Sequence, residues 1–278
     1  MIQWILAILP LFSIQGYICG DAFRSYADHI YEEEKNDFQP AAVAAGETVF
    51  LKGAHLASFF SRIHPHINHP YILITHISDD SVPGSYASYL NDPQLIAWFG
   101  INHDGTPHPK MHCIPIGIAN AYLLNGNQAL LSKIQQNLPP KKYLSYLNFT
   151  IQSFSPERWP LFKLLSHVPF CHRTLRQDYE TYLHITASSQ FMISPRGLGL
   201  DTYRLWESLY LGTIPIVKTS SLDALYEGLP ILIISDWRQV TKSFLEQKYE
   251  ELSQKSFSLE KLSMEYWTNL IDSFRNRS

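Results

Sequence analysis

Within residues 196–208 the chain gathers Arg196, Gly197, Gly199, Asp201, Arg204, Glu207 and Ser208. Two guanidinium groups can neutralise a phosphate or diphosphate, and a carboxylate can accept hydrogen bonds from both hydroxyls of a ribose. At 100° per residue Asp201, Arg204, Glu207 and Ser208 share one side of a helix, while Leu205, Trp206 and Leu209 face away to pack. The chemistry this implies is capture of a nucleotide carrying an activated group.

The flanking elements must hold these residues in place. Phe191–Ile193 is a short apolar run closed by Pro195 and the glycines, so it reads as a strand entering a turn. Thr202–Leu211 keeps helical periodicity and stops at Gly212, with Asp201 expected as its N-cap. Such a turn leaves the first N–H groups of the helix unpaired and partly positive, which favours phosphate. The plain alternative is that Arg204 and Glu207 form an i,i+3 ion pair on a solvated helix. The glycine turn and the flanking strands favour a site.

This segment resembles the C-terminal signature of the exostosin-like glycosyltransferases. There a Pro/Gly turn, an Asp-x-x-Arg-x-x-Glu helix (Asp201, Arg204, Glu207) and a Gly-x-Ile-Pro-Ile-Val strand (Gly212 to Val217) follow one another. The likeness covers residues 191–232, and the flanking regions share only the layout. It implies a GT-B-like architecture, α/β with two Rossmann-like doubly wound domains facing a cleft, the donor being held by the C-terminal one. Arg196, Arg204 and Glu207 match the pattern. Alpha-fucosyltransferase-like enzymes use a related helix, so the donor sugar is left open.

With 278 residues, 45% hydrophobic and 17% charged, the chain is globular and of a size that commonly divides in two. A net charge of −3 and the lack of a Lys/Arg cluster argue against nucleic-acid binding. Residues 1–20 carry one uncharged apolar run, Trp4–Phe12, and read as a secretory signal peptide or a short anchor. That places the protein in the secretory lumen, outside the cell or in the periplasm, with membrane association only if the segment is retained. Cys19, Cys113 and Cys171 lack metal or redox spacing. The sequon Asn148-Phe149-Thr150 has meaning only in a eukaryotic secretory pathway.

Residues 21–46 read as an irregular lead-in with one short helix. Strands are then expected at 48–51, 71–76, 95–99 and 112–118, with a helix over 54–63 and another over 127–136. Asn137 to Lys142 is the strongest linker, so residues 21–140 are assigned to an N-terminal, acceptor-side domain and 141–278 to a C-terminal, nucleotide-sugar-binding domain. Strands at 142–149, 170–172, 191–193, 213–217 and 230–234 alternate with helices in the second half, and about four strands per half favour parallel sheets. Strand ends deliver His76, Asp79, Asp80 and Asp104 to one edge, making them candidates for the acid/base group of an inverting transfer. His64, His66, His69, His76, His103, His108 and His112 lack metal-ligand pairing, so neither metal nor cofactor is expected.

The expected function is metal-independent glycosyl transfer from a nucleotide-sugar to a hydroxyl of a glycan or other acceptor. A non-catalytic nucleotide- or carbohydrate-binding protein of the same fold is the alternative. A Rossmann oxidoreductase is disfavoured, because the glycine motif comes late and is not Gly-x-Gly-x-x-Gly.

Overall fold

The computed structural model describes residues 16–32, 37–174 and 176–276. Its N-terminal half runs α1 (Gly20–Tyr26), β1 (His29–Tyr31), β2 (Thr48–Lys52), α2 (Leu56–Ser58), β3 (Tyr71–His76), β4 (Leu95–Gly100), β5 (Met111–Cys113) and α3 (Gln128–Gln135). The C-terminal half continues with β6 (Tyr143–Leu147), α4 (Ser155–Leu165), β7 (Cys171–Arg173), α5 (Tyr179–Ala187), β8 (Ser189–Ile193) and α6 (Tyr203–Tyr210). It ends with β9 (Ile214–Lys218), α7 (Asp223–Tyr226), β10 (Leu232–Ile234), α8 (Lys242–Ser253) and α9 (Met264–Asp272).

Both sheets are five-stranded and parallel, in the orders β1-β2-β3-β4-β5 and β10-β9-β8-β6-β7. The architecture is α/β, with two Rossmann-like sheets facing a cleft. The N-terminal half has one strand more than the four named for it, β1, while the five named for the C-terminal half are all present. The strand β1 was missed because three residues of mixed polarity, His29-Ile30-Tyr31, show no alternation to detect. The expected helix over 54–63 is instead a chain of short 3-10, α and π turns, with Phe59 and Phe60 both buried. The expected strand at 112–118 stops at Cys113, where the chain leaves the sheet.

Alternation along the N-terminal strands explains how the halves join. Val49, Leu51, Tyr71 and Leu73 point into a core completed by the connections of this half, notably Phe59, Phe60 and Leu90. Phe50, Ile72, Ile74, Ala97 and Phe99 point to the other face, where they meet a helical layer including Leu205, Trp206, Leu209, Trp267, Ile271 and Phe274. The layer is therefore shared by both halves. Each such side chain contributes roughly 1.5–3 kcal/mol by burial, against about 1 kcal/mol for a typical hydrogen bond, so apolar packing dominates the union. The remaining core, around Leu161, Leu165, Phe191, Ile216 and Trp237, belongs to the C-terminal half alone.

Residues 1–15 of the expected signal segment lie outside the described residues, as do Glu33 and Glu34. Ile18 and Cys19 are buried, and the Ile18 carbonyl accepts from the Ile118 N–H while its own N–H donates to Tyr210 Oη. The boundary drawn at residue 20 thus falls inside packed chain. At the linker, Lys141 Nζ donates to the Ala187 carbonyl at the end of α5 and to Thr213 Oγ1, both at 2.9 Å. No helix among the described residues is long and apolar enough to cross a membrane.

Candidate functional site

In the C-terminal sheet the chain order runs outward in opposite directions from the β6/β8 pair. Such a reversal opens a crevice at the carboxyl ends of the two strands, because their following loops diverge. A cleft of about 570 Å³ lies there. Its walls are Asn148–Thr150 after β6, Gly197–Gly199 after β8, Tyr179 and Tyr182 of α5, and Ile77–Asp79 and Tyr122 of the N-terminal half. A larger groove, about 740 Å³, runs beside the edge strand β7 toward the amino ends of β6 and β8, away from the switch point.

Two cations line the cleft without a carboxylate partner among the described residues. Arg158 of α4 is 4% exposed and spends its donors on carbonyls: Nε on Arg196 at 2.7 Å, Nη1 on Thr150 at 2.7 Å and Nη2 on Pro195 at 3.3 Å. Burial, then repulsion from Arg204, pulls its guanidinium down to about 9. Arg204 of α6 gives Nε to the Asn148 carbonyl at 2.8 Å. Two neighbouring positive charges held by neutral acceptors suit an anion, since a phosphate would relieve the repulsion and the desolvation felt by Arg158.

The cation expected of Arg196 is not in the cleft. Its guanidinium lies 4.3 Å over the Phe154 ring and donates to the carbonyls of its own loop, Leu198 at 2.7 Å and Gly197 at 3.2 Å. Arg158, reaching across from α4, stands where Arg196 was expected.

Glu207 does line the cleft. It is 3% exposed, and its two oxygens accept from Tyr179 Oη at 3.0 Å and Tyr182 Oη at 2.9 Å, so the plain Arg204–Glu207 surface pair is not what holds it. Burial raises its pKa, opposed by the two tyrosines and the charge of Arg204. Each oxygen keeps a lone pair for a further donor such as a sugar hydroxyl. At the head of α6 the N-cap is Thr202, not Asp201, and it makes no side-chain capping bond. Its hydroxyl lies 3.2 Å from Ser194 Oγ, which leaves the first-turn N–H groups without a side-chain acceptor.

The Asp201 carboxylate turns inward because stronger donors wait there. It accepts from the Ile116 N–H at 2.8 Å, Trp206 Nε1 at 2.8 Å and its neighbour Thr202 N–H at 2.9 Å. Complete burial pushes it up to about 6 against those bonds. The Asp201 N–H donates to Asn102 Oδ1 at 2.9 Å, and Asn102 Nδ2 donates to the Ser78 carbonyl. A Cβ at position 199 would come 2.7 Å from Asn102 Nδ2, so glycine is required for this close approach. Asp201 and Gly199 thus join the two halves.

The N-terminal candidates separate. Asp79 lines the cleft, where Oδ1 accepts from the Gly199 N–H at 3.3 Å. Asp80 is exposed outside it and, among the described residues, bonds Ser78. His76 is buried, with Nε2 on the Pro115 carbonyl and Nδ1 accepting from the Ile77 N–H; burial lowers it to about 4, and it stays neutral. Asp104 accepts from the Gly84 and Thr106 N–H groups, which overcome its burial to lower its pKa. Ser208 is fully buried and donates to the Arg204 carbonyl within α6.

Arg158, Tyr179, Tyr182 and Asn148 were not anticipated. Only the tyrosines carried a signal, an i,i+3 pair on α5; nothing near Arg158 in the sequence marks it. Asn148 of the sequon lines the cleft and donates Nδ2 to Tyr146 Oη at 2.9 Å and Thr174 Oγ1 at 3.0 Å, so a glycan there would have to displace both.

No protein-family model matches the sequence, and no curated protein does. Among solved structures the chain is similar to one described as the crystal structure of the GtfA/B complex, with TM-score 0.39, 11% identity, and coverage of 84% of this chain and 58% of that one. It is also similar to UDP-GlcNAc 2-epimerase from Neisseria meningitidis bound to UDP-GlcNAc, with TM-score 0.38, 14% identity, and coverage of 83% and 76%. The chain therefore spans less than two thirds of the first of these structures.

Proposed function

We propose that this chain is a glycosyltransferase that moves a sugar from a nucleotide-sugar to an acceptor hydroxyl. The observation that carries the reading is the pair Arg158 and Arg204, cationic and without carboxylates, beside the buried Glu207 at the β6/β8 switch point. Glu207 takes the ribose hydroxyls. Arg204, Arg158 and the open N–H groups of α6 take the diphosphate and stabilise it as it departs, because positive charge fixed in advance needs no reorganisation as negative charge develops.

Asp79 is the one predicted acid/base residue on the cleft wall, and it takes the proton of the acceptor hydroxyl in an inverting displacement. Calorimetry with nucleoside diphosphates, followed by assay of released diphosphate from a panel of nucleotide-sugars, tests the proposal. Binding followed by turnover with an acceptor is expected, undiminished by a chelator because the guanidinium groups supply the charge. Binding without release would leave a nucleotide-binding protein, and no binding would end the reading.

A further inference from the structure

Three of the large apolar side chains that stand exposed among the described residues lie at this cleft, Tyr122 at 68%, Leu123 at 37% and Leu198 at 62%, and Leu124, at 94%, follows Leu123 in the same loop. Tyr122, Leu123 and Leu198 line it directly, the first two from the N-terminal half and the last from the glycine loop opposite. Between His112 and Lys133 the chain carries no charged side chain, so nothing in this loop offsets the apolar exposure. The loop is also firmly held. The Ala121 N–H donates to Asp21 Oδ2, the Leu123 N–H to the Asn120 carbonyl and the Gly126 N–H to the Leu123 carbonyl, each at 2.9 Å. A Cβ on Gly126 would come 1.9 Å from the Asn120 carbonyl oxygen. A rigid loop that presents leucine to water marks a contact surface.

Behind Tyr122 the lining changes character. Tyr122 and Ile77 also border a second, smaller cavity of about 290 Å³ whose other walls include Asp21, Arg24, Glu32 and Lys52. Arg24 and Glu32 are paired at 2.9 Å, which keeps both side chains in place with donors and acceptors still available to hydroxyl groups. An apolar rim and a polar pocket therefore meet at one residue, beside Asp79.

We propose that the acceptor is amphipathic: a polyhydroxylated headgroup enters the pocket behind Tyr122, and an apolar substituent lies across Tyr122, Leu123, Leu124 and Leu198. This rests on the transferase reading for the word acceptor, but the amphipathic site itself is testable without it. The continuity of rim and cleft favours the reacting molecule as occupant, since anything on the rim abuts whatever sits at Asp79.

The test is calorimetry with matched n-octyl and methyl glycosides of glucose, galactose and mannose, below the micelle concentration, on wild type, Leu124→Ser and Leu198→Ser. Both positions are more than half exposed, so the folds should be unchanged, as circular dichroism will show. At least one octyl glycoside should bind about tenfold or more tighter than its methyl partner, and each variant should erase most of that preference. Equal affinities, no binding of either, or a preference that survives both substitutions would overturn the proposal. So would co-sedimentation of wild type, but not Leu124→Ser, with phosphatidylcholine vesicles, because the loop would then be a membrane contact. Binding of uridine, guanosine and cytidine diphosphates is measured in parallel. Its absence alongside an intact octyl preference would remove the transferase and leave the amphipathic site.

Discussion

The carboxyl ends of β3 and β4 and those of β6 and β8 face each other across one cleft, yet they use polar residues in opposite ways. At β3 and β4, His76, Asn102 and Asp104 are consumed by the protein: each has its hydrogen bonds met by backbone groups or by the opposite half. At β6 and β8, Arg158 and Arg204 form no ion pair among the described residues, and Glu207 keeps lone pairs. A polar residue at a strand end is thus no guide to a site until its partners are counted. What singles out the candidate site is buried charge that forms no ion pair among the described residues.

The largest effect should come from the consumed side. His76, held near 4 by burial, is neutral in the folded protein and titrates at its ordinary value near 6.5 once unfolded, so its contribution is present above that value and lost as pH falls toward 4. Asp201, raised to about 6, works the other way, being most favourable at low pH and costing stability as pH rises from about 4 to 6. Comparing wild type with His76→Gln cancels the Asp201 contribution. Between pH 7 and 4.5 the wild type should lose roughly 2–3 kcal/mol relative to the variant in denaturant titrations. Parallel curves would mean that His76 is not structural.

On the ligand side, Arg204→Met should weaken nucleoside diphosphate binding by about 2 kcal/mol, on the order of thirtyfold, by removing a charge-assisted bond. The salt dependence of binding should flatten with it, and unchanged affinity would break the contrast. Glu207→Gln keeps the shape and one acceptor oxygen, so a smaller loss, about 1–1.5 kcal/mol, is expected for ribonucleotides. Deoxyribonucleotides, with one hydroxyl fewer, should show less of it. Arg196→Ala should change KM and kcat by less than about twofold, since that guanidinium serves only Phe154 and its own loop. A tenfold loss would put Arg196 on the ligand.

Legibility followed the range of the interactions. Tyr71–His76, Leu95–Gly100 and Phe191–Ile193 could be read as buried strands because a run of apolar residues with turn signals suffices. The α6 register could be read in part: Arg204 and Glu207 line the cleft while Leu205, Trp206 and Leu209 pack in the core, but Ser208, expected beside them, is fully buried. The direction of Asp201 could not, because capping competes with donors from Ile116, far away in the sequence. Arg158 was illegible for the same reason: two of its three acceptors, Pro195 and Arg196, are distant in the sequence.

The sequence by itself determined the alternation of strands and helices, the glycine turn after β8 and the placing of Arg204 and Glu207 on one helical side. All of these depend on backbone geometry within a few residues. Only the tertiary structure decided which polar groups were met by partners from distant segments and which charges were left without an ion pair among the described residues. Burial and hydrogen-bond partnership are set by groups that meet after folding, and no local pattern records them.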